Sequence, residues 1–80
     1  MLKILYTPKF IRKYKGLESA LKEEIKEKIE LFKHSSNHSL LKVHKLKGEL
    51  QNIYSFSVNY KTRIIFEYED KNKVNLLYVG

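Results

Sequence analysis

Between residues 17 and 34 the apolar positions fall at Leu17, Leu21, Ile25, Ile29 and Phe32, at steps of four, four, four and three. That spacing predicts a helix over Leu17–His34 with one buried stripe. Lys22–Lys26, Glu23–Glu27 and Lys26–Glu30 are i,i+4 neighbours of mixed sign, so the rest of this helix reads as a solvated face. Upstream, Leu2–Tyr6 has strand character and runs into Thr7-Pro8. Threonine caps an orphan N–H and proline suits the first helical position, so a short helix is expected over Pro8–Lys15. It carries Phe10, Ile11 and Tyr14 on one side and is broken by Gly16. Ser35–Ser39 is a polar loop. In the second half the period becomes two. Ile53–Val58 puts Tyr54, Phe56 and Val58 on one face and Ser55 and Ser57 on the other. Asn59–Thr62 reads as a turn. Arg63–Tyr68 puts Ile64, Phe66 and Tyr68 on one face and Arg63, Ile65 and Glu67 on the other. Asp70–Lys73 is a second turn, and Val74–Val79 a last strand. The expected order is β-α-α-β-β-β, an α+β domain with an antiparallel-rich sheet and a helical hairpin on one face. The first strand must pair beside a later one to satisfy its backbone.

Length and composition narrow the function classes. Eighty residues without linker or repeat make one domain over residues 1–80, with a small core. The absence of cysteine excludes disulfides, thiol nucleophiles and cysteine-bound zinc, and fits a cytoplasmic location. No apolar run reaches the roughly 18 residues of a membrane span, and the N-terminal apolar patch is too short for a signal peptide. Charge is more informative. Sixteen Lys and Arg against nine Asp and Glu give +7, which points to a polyanionic partner. Residues 7–34 mix their signs. The 42–63 stretch carries Lys42, Lys45, Lys47, Lys61 and Arg63 against Glu49 alone, and reads as the electrostatic footprint.

Several motifs, in order, carry a family resemblance. They are Tyr6-Thr7-Pro8-Lys9-Phe10, His44-Lys45-Leu46-Lys47-Gly48, Tyr54-Ser55-Phe56-Ser57-Val58, Arg63-Ile64-Ile65-Phe66-Glu67-Tyr68 and Leu76-Leu77-Tyr78-Val79-Gly80. Their order and spacing resemble the RelE/ParE superfamily of type II toxin–antitoxin toxins over nearly the whole chain. The His-x-Leu-Lys-Gly turn looks closest to the YafQ and YoeB branches. The resemblance implies a RelE-like fold and a ribosome-dependent endonuclease of mRNA, held inactive by a cognate antitoxin. It also leaves open a ParE-like inhibitor of gyrase, or a non-catalytic module that binds RNA or antitoxin.

RNA cleavage by the ribose 2′-OH needs a base, a cation for the charged phosphorane and an acid for the leaving 5′ oxygen. No metal is obligatory, and no cofactor is expected. His44 is the candidate base, because imidazole exchanges protons near neutrality. Arg63 is the candidate stabiliser, because guanidinium keeps its charge and matches phosphate oxygens. Lys42, Lys45, Lys47 and Lys61 are expected to neutralise phosphates, and Tyr60 to stack on a base. Tyr54 could also stack but fits a core role. His34 and His38, four apart and without an acidic companion, are expected on the surface rather than on a metal. The resembling families continue beyond the last strand with a His and a Tyr or Phe that supply the acid or a stacking ring. The usual tail is thus expected to be absent after Gly80, and weak or no nuclease activity to follow for these 80 residues.

Overall fold

The computed structural model of the protein describes residues 1–48 and 52–80. Glu49, the one acid of the basic stretch, lies outside them. The elements are β1 (Lys3–Tyr6), α1 (Pro8–Lys15), α2 (Ser19–Phe32), a 3₁₀ turn (Ser35–Asn37), β2 (His44–Lys45), β3 (Ile53–Ser57), β4 (Arg63–Asp70) and β5 (Lys73–Val79). The sheet order is β1-β5-β4-β3-β2, antiparallel throughout except for the parallel pair β1–β5. This is the expected α+β architecture with one strand more. β2 has only two residues, too few for an alternating pattern to be visible. The long helix is shorter than its stripe, because Glu18 is the extended residue before it.

Thr7 does more than cap α1. Its hydroxyl accepts from the Phe10 N–H at 3.2 Å and donates to the Leu76 carbonyl at 2.8 Å, so the helix start is fastened to β5. Phe10, Ile25, Ile29 and Phe32 from the helices meet Phe56, Ile64, Phe66, Val74 and Leu76 from the sheet, forming the core. Phe32 is at its centre. It stacks on Phe56 at 4.3 Å, meets Phe66 edge-on at 4.8 Å and carries the His38 ring at 4.8 Å. His38 is therefore not the surface residue its polar neighbourhood predicts. It is half-buried, with Nε2 2.9 Å from the Phe32 carbonyl.

Two of the backbone irregularities bear on the site. Leu77 is an extra residue in β5, since Ile65 pairs with Tyr78 and Phe66 with Leu76. The bulge shifts the alternation by one, so Val79 returns to the buried face with Val74 and Leu76. It also brings Gly80 opposite Arg63, where the two backbones exchange N–H···O bonds of 3.1 Å each. Lys42 is the second irregularity. Its φ of +56° is in the left-handed region, which a side chain with a Cβ enters at a cost of about 1–2 kcal/mol.

Candidate functional site: a histidine and a guanidinium on the open sheet face

Register builds the site. On β3, Ser55 lies opposite His44 of β2, and Ser57 lies opposite Arg63 of β4. Directly opposed residues share a side of the sheet. His44, Ser55, Ser57 and Arg63 therefore gather on the face away from the helices. Their separation in sequence, up to nineteen positions between His44 and Arg63, is closed by the two hairpin steps.

The Arg63 guanidinium is the hub. Nε donates to Ser55 Oγ at 3.0 Å, and Nη2 reaches the same oxygen at 2.8 Å. Nη1 donates to Ser57 Oγ at 2.6 Å. Nη2 also approaches the Lys42 carbonyl at 3.3 Å and His44 Nδ1 at 3.2 Å. Every one of these partners is neutral or can be. Among the described residues the only ion pairs are Lys26–Glu23 and Lys33–Glu30, both remote from it. Arg63 is thus a half-buried cation, fixed in place, whose charge no described carboxylate cancels.

His44 is exposed, and its Nδ1 has two candidate partners, the Lys42 carbonyl at 3.1 Å and Arg63 Nη2 at 3.2 Å. They demand opposite tautomers. A bond to the carbonyl needs a proton on Nδ1, whereas a bond from Arg63 needs a lone pair there. Whatever draws Nη2 away from Nδ1 leaves the carbonyl as partner, which puts the proton on Nδ1 and the lone pair on the outward Nε2.

The other expected residues divide. Lys42 contributes through its backbone carbonyl and is itself exposed. Lys45 pairs with Tyr54 and so shares the opposite side of the edge from His44. Lys47 is exposed just before Gly48, whose φ of +119° explains the glycine closing this motif. Tyr60 is 92 % exposed, with the Lys61 ammonium 5.7 Å over its ring. Tyr60 borders the hollow that Lys42 lines. Lys61, again with Tyr60, faces a hollow lined by Glu18, Glu23, Glu24 and Glu27 of α2 and its N-cap. Neither Tyr60 nor Lys61 hydrogen-bonds to His44 or Arg63. Tyr54 packs against the core, as its alternation indicated. Among the described residues no three His, Asp or Glu side chains converge as metal ligands would.

Ser55 and Ser57 are not singled out by the sequence, where the alternation shows them only as the polar side of their strand. Pairing that strand with the next across the Asn59–Thr62 turn brings them to the Arg63 side. A second basic cluster was also not foreseen. Lys9 and Lys13 of α1 each hold an ammonium 5.6 Å from the centre of the Tyr78 ring, which itself lies against Gly80.

Fold and site together define a small basic α+β domain that presents an imidazole and a guanidinium, the latter without an ion pair among the described residues, on the open face of its sheet. The family model described as the RelE-like toxin of the type II toxin–antitoxin system HigB matches residues 3–80, and the chain belongs to that family. Solved structures share the fold at low identity. The YoeB–YefM complex from Staphylococcus aureus superposes with a TM-score of 0.76 at 21 % identity, covering 100 % of this chain and 95 % of that one. The intact RelBE toxin–antitoxin complex of E. coli gives 0.76 at 18 % identity, with 100 % and 95 % covered. The YoeB/ParE toxin from Agrobacterium tumefaciens gives 0.78 at 17 % identity, with 98 % and 95 % covered. A search of curated proteins returns no match.

Proposed function

We propose that this toxin is a ribosome-dependent mRNA endonuclease of the cytoplasm, silenced by a cognate antitoxin. The observation that carries the proposal is the 3.2 Å approach of His44 to an Arg63 that no described carboxylate neutralises. A structural arginine on a sheet surface would usually be paired or solvated. This one is held by hydroxyls, with no described carboxylate against it, as a phosphate site requires.

The chemistry follows from the site. A phosphodiester entering the open face takes N–H groups of Arg63 and draws Nη2 from His44. His44 then donates Nδ1–H to the Lys42 carbonyl and accepts the ribose 2′ proton at Nε2. The 2′ oxygen forms a bond to phosphorus, and Arg63 stabilises the negative charge on the pentavalent phosphorus. The bond to the 5′ oxygen breaks, and that oxygen takes a proton from solvent. The products are a 2′,3′-cyclic phosphate and a 5′-hydroxyl. Lys42 and Lys47 help to hold the strand, with Lys45 at the strand edge and Tyr60 and Lys61 along its path beyond the site.

Support for the antitoxin comes from elsewhere on the molecule. Between α1 and α2 runs a mainly apolar groove of about 560 Å³, lined by Tyr6, Phe10, Ile11, Tyr14 and Ile29 together with Lys15, Lys26 and Glu30. Helix α1 bears Lys9, Arg12, Lys13 and Lys15 and no acid. Such a surface suits an acidic, amphipathic segment that folds on binding, and the similar YoeB and RelE chains were solved as complexes with YefM and RelB. Growth after induced expression tests the proposal. Wild type should slow it measurably, with solvent rather than a side chain as the acid, and His44→Ala and Arg63→Ala should not, with unchanged circular dichroism. Slowing by both variants, accompanied by inhibited DNA supercoiling, would favour the gyrase alternative.

A further inference from the structure

We infer that Ser55 and Ser57 are positioning residues, whose hydroxyls fix the Arg63 guanidinium for an anion while leaving its charge intact. Ser55 is fully buried although it is on the face that no helix covers. Arg63 itself lies over it, with Nε and Nη2 both on its Oγ. Ser57, directly opposite Arg63 across the β3–β4 pair, takes Nη1. Two serines two positions apart in a central strand are a poor choice for the sheet, which favours β-branched and aromatic residues. Their placement under one guanidinium gives them another use.

The chemistry of the holders matters. A guanidinium has five N–H donors in a fixed planar fork. Carboxylates would hold that fork more strongly but would cancel the charge that must meet phosphate. Hydroxyl oxygens accept the same bonds without a formal charge. The Nε–Nη2 side of the fork is turned to Ser55, and one Nη1 hydrogen has no partner among the described residues. The remaining Nη2 hydrogen is shared between the Lys42 carbonyl and His44 Nδ1, both long contacts. These two hydrogens are the ones an incoming anion can take, so the serines decide which edge of Arg63 faces the substrate. The catalytic consequence rests on the nuclease proposed above, whereas the cradle itself does not.

Two measurements separate those levels. Arg12 and Arg63 are the chain's only arginines, so their Nε–H signals are readily told apart by NMR. In the wild-type protein the Arg63 Nε–H should exchange with water at least about tenfold more slowly than that of Arg12. S55A should abolish the difference. In a cleavage assay with translating ribosomes, S55A and S57A should each lower kcat about 10- to 100-fold, the range expected when a catalytic group is misaligned by about an ångström. KM should change less than about threefold, and S57T, which keeps the hydroxyl, should restore kcat. Equal exchange of the two arginines in wild type, or unaltered Arg63 protection in S55A, overturns the cradle. Lost protection with full kcat overturns its positioning role. If wild type cuts no message yet Arg63 shows the predicted protection and its loss, the cradle stands and the nuclease proposal fails.

Discussion

Replacing Phe32 by leucine should loosen the molecule at the point where core and site are joined. Phe32 is fully buried, and its ring meets Phe56, Phe66 and His38 at 4.3–4.8 Å between centroids. Truncating such a residue to alanine costs about 3–5 kcal/mol. A domain of this size has a total stability on the order of 4–12 kcal/mol, so Phe32→Ala would remove about a quarter of it or more. Leucine refills most of the volume but gives up the aromatic pairs, worth about 0.5–1.5 kcal/mol each. With some of that returned by leucine packing, the net loss should be about 1–2 kcal/mol. For a chain of this length each kcal/mol lowers Tm by about 4–8 °C, so a drop of roughly 4–16 °C is expected in a thermal melt followed by circular dichroism. Tyr60→Ala, at a 92 % exposed position, serves as the control and should stay within about 0.5 kcal/mol of wild type. The effect should also reach the site. His38 leans on Phe32, and Leu41, buried in the same core, accepts from the Ser57 N–H at 2.8 Å just before Lys42 and His44. Indistinguishable melts for Phe32→Leu and Tyr60→Ala would refute the central place given to the Phe32 cluster.

Three other outcomes are expected. Thr7→Ala removes a helix cap and the bond to the Leu76 carbonyl, and should cost about 1–2 kcal/mol in urea unfolding; no change in midpoint would contradict the fastening of α1 to β5. Burial, reinforced by the neighbouring Tyr54, pushes the Tyr68 phenol above its usual value. The unfolded chain therefore loses this proton first, near pH 10, and stability should fall as pH rises past that point. Tyr68→Phe should flatten the fall, and an unchanged slope would argue against a shifted phenol. Finally, Lys42, Lys47 and Arg63 together should give single-stranded RNA binding a log–log salt slope of about −2.1, near 0.7 per phosphate contact. Lys47→Ala should reduce that slope by about 0.7. Lys61→Ala, set against the α2 acids, should change it less, and equal losses would place Lys61 in the main track.

Much of the fold could be read from the chain because its longest elements are periodic. The Leu17–Phe32 stripe and the alternation of Ile53–Val58 and Arg63–Tyr68 each specify an element and its buried face. Thr7-Pro8 locates a helix start by local chemistry. The misses are tertiary in origin. β2 exists because β3 offers it an edge, and two residues carry no period of their own. Leu77 shows as a bulge only once β4 is beside β5. His38 looks polar and exposed until Phe32 provides a ring for it to stack on. At the site, His44 and Arg63 were legible as reactive types in a basic stretch, and their contact was not. It depends on a register two strands wide, on a left-handed Lys42 that turns its carbonyl inward, and on two serines that sequence alone shows only as the polar side of a strand.

The most direct test of the proposed activity is to map the ends of a defined message after incubating the protein with translating ribosomes. Wild type should produce cuts within the ribosomal A site, ending in 2′,3′-cyclic phosphate and 5′-hydroxyl. His44→Ala and Arg63→Ala, folded as judged by thermal melts, should each reduce cutting by about 100-fold or more. Intact message with wild type, or cutting by both variants at the wild-type rate, would contradict a nuclease built on His44 and Arg63.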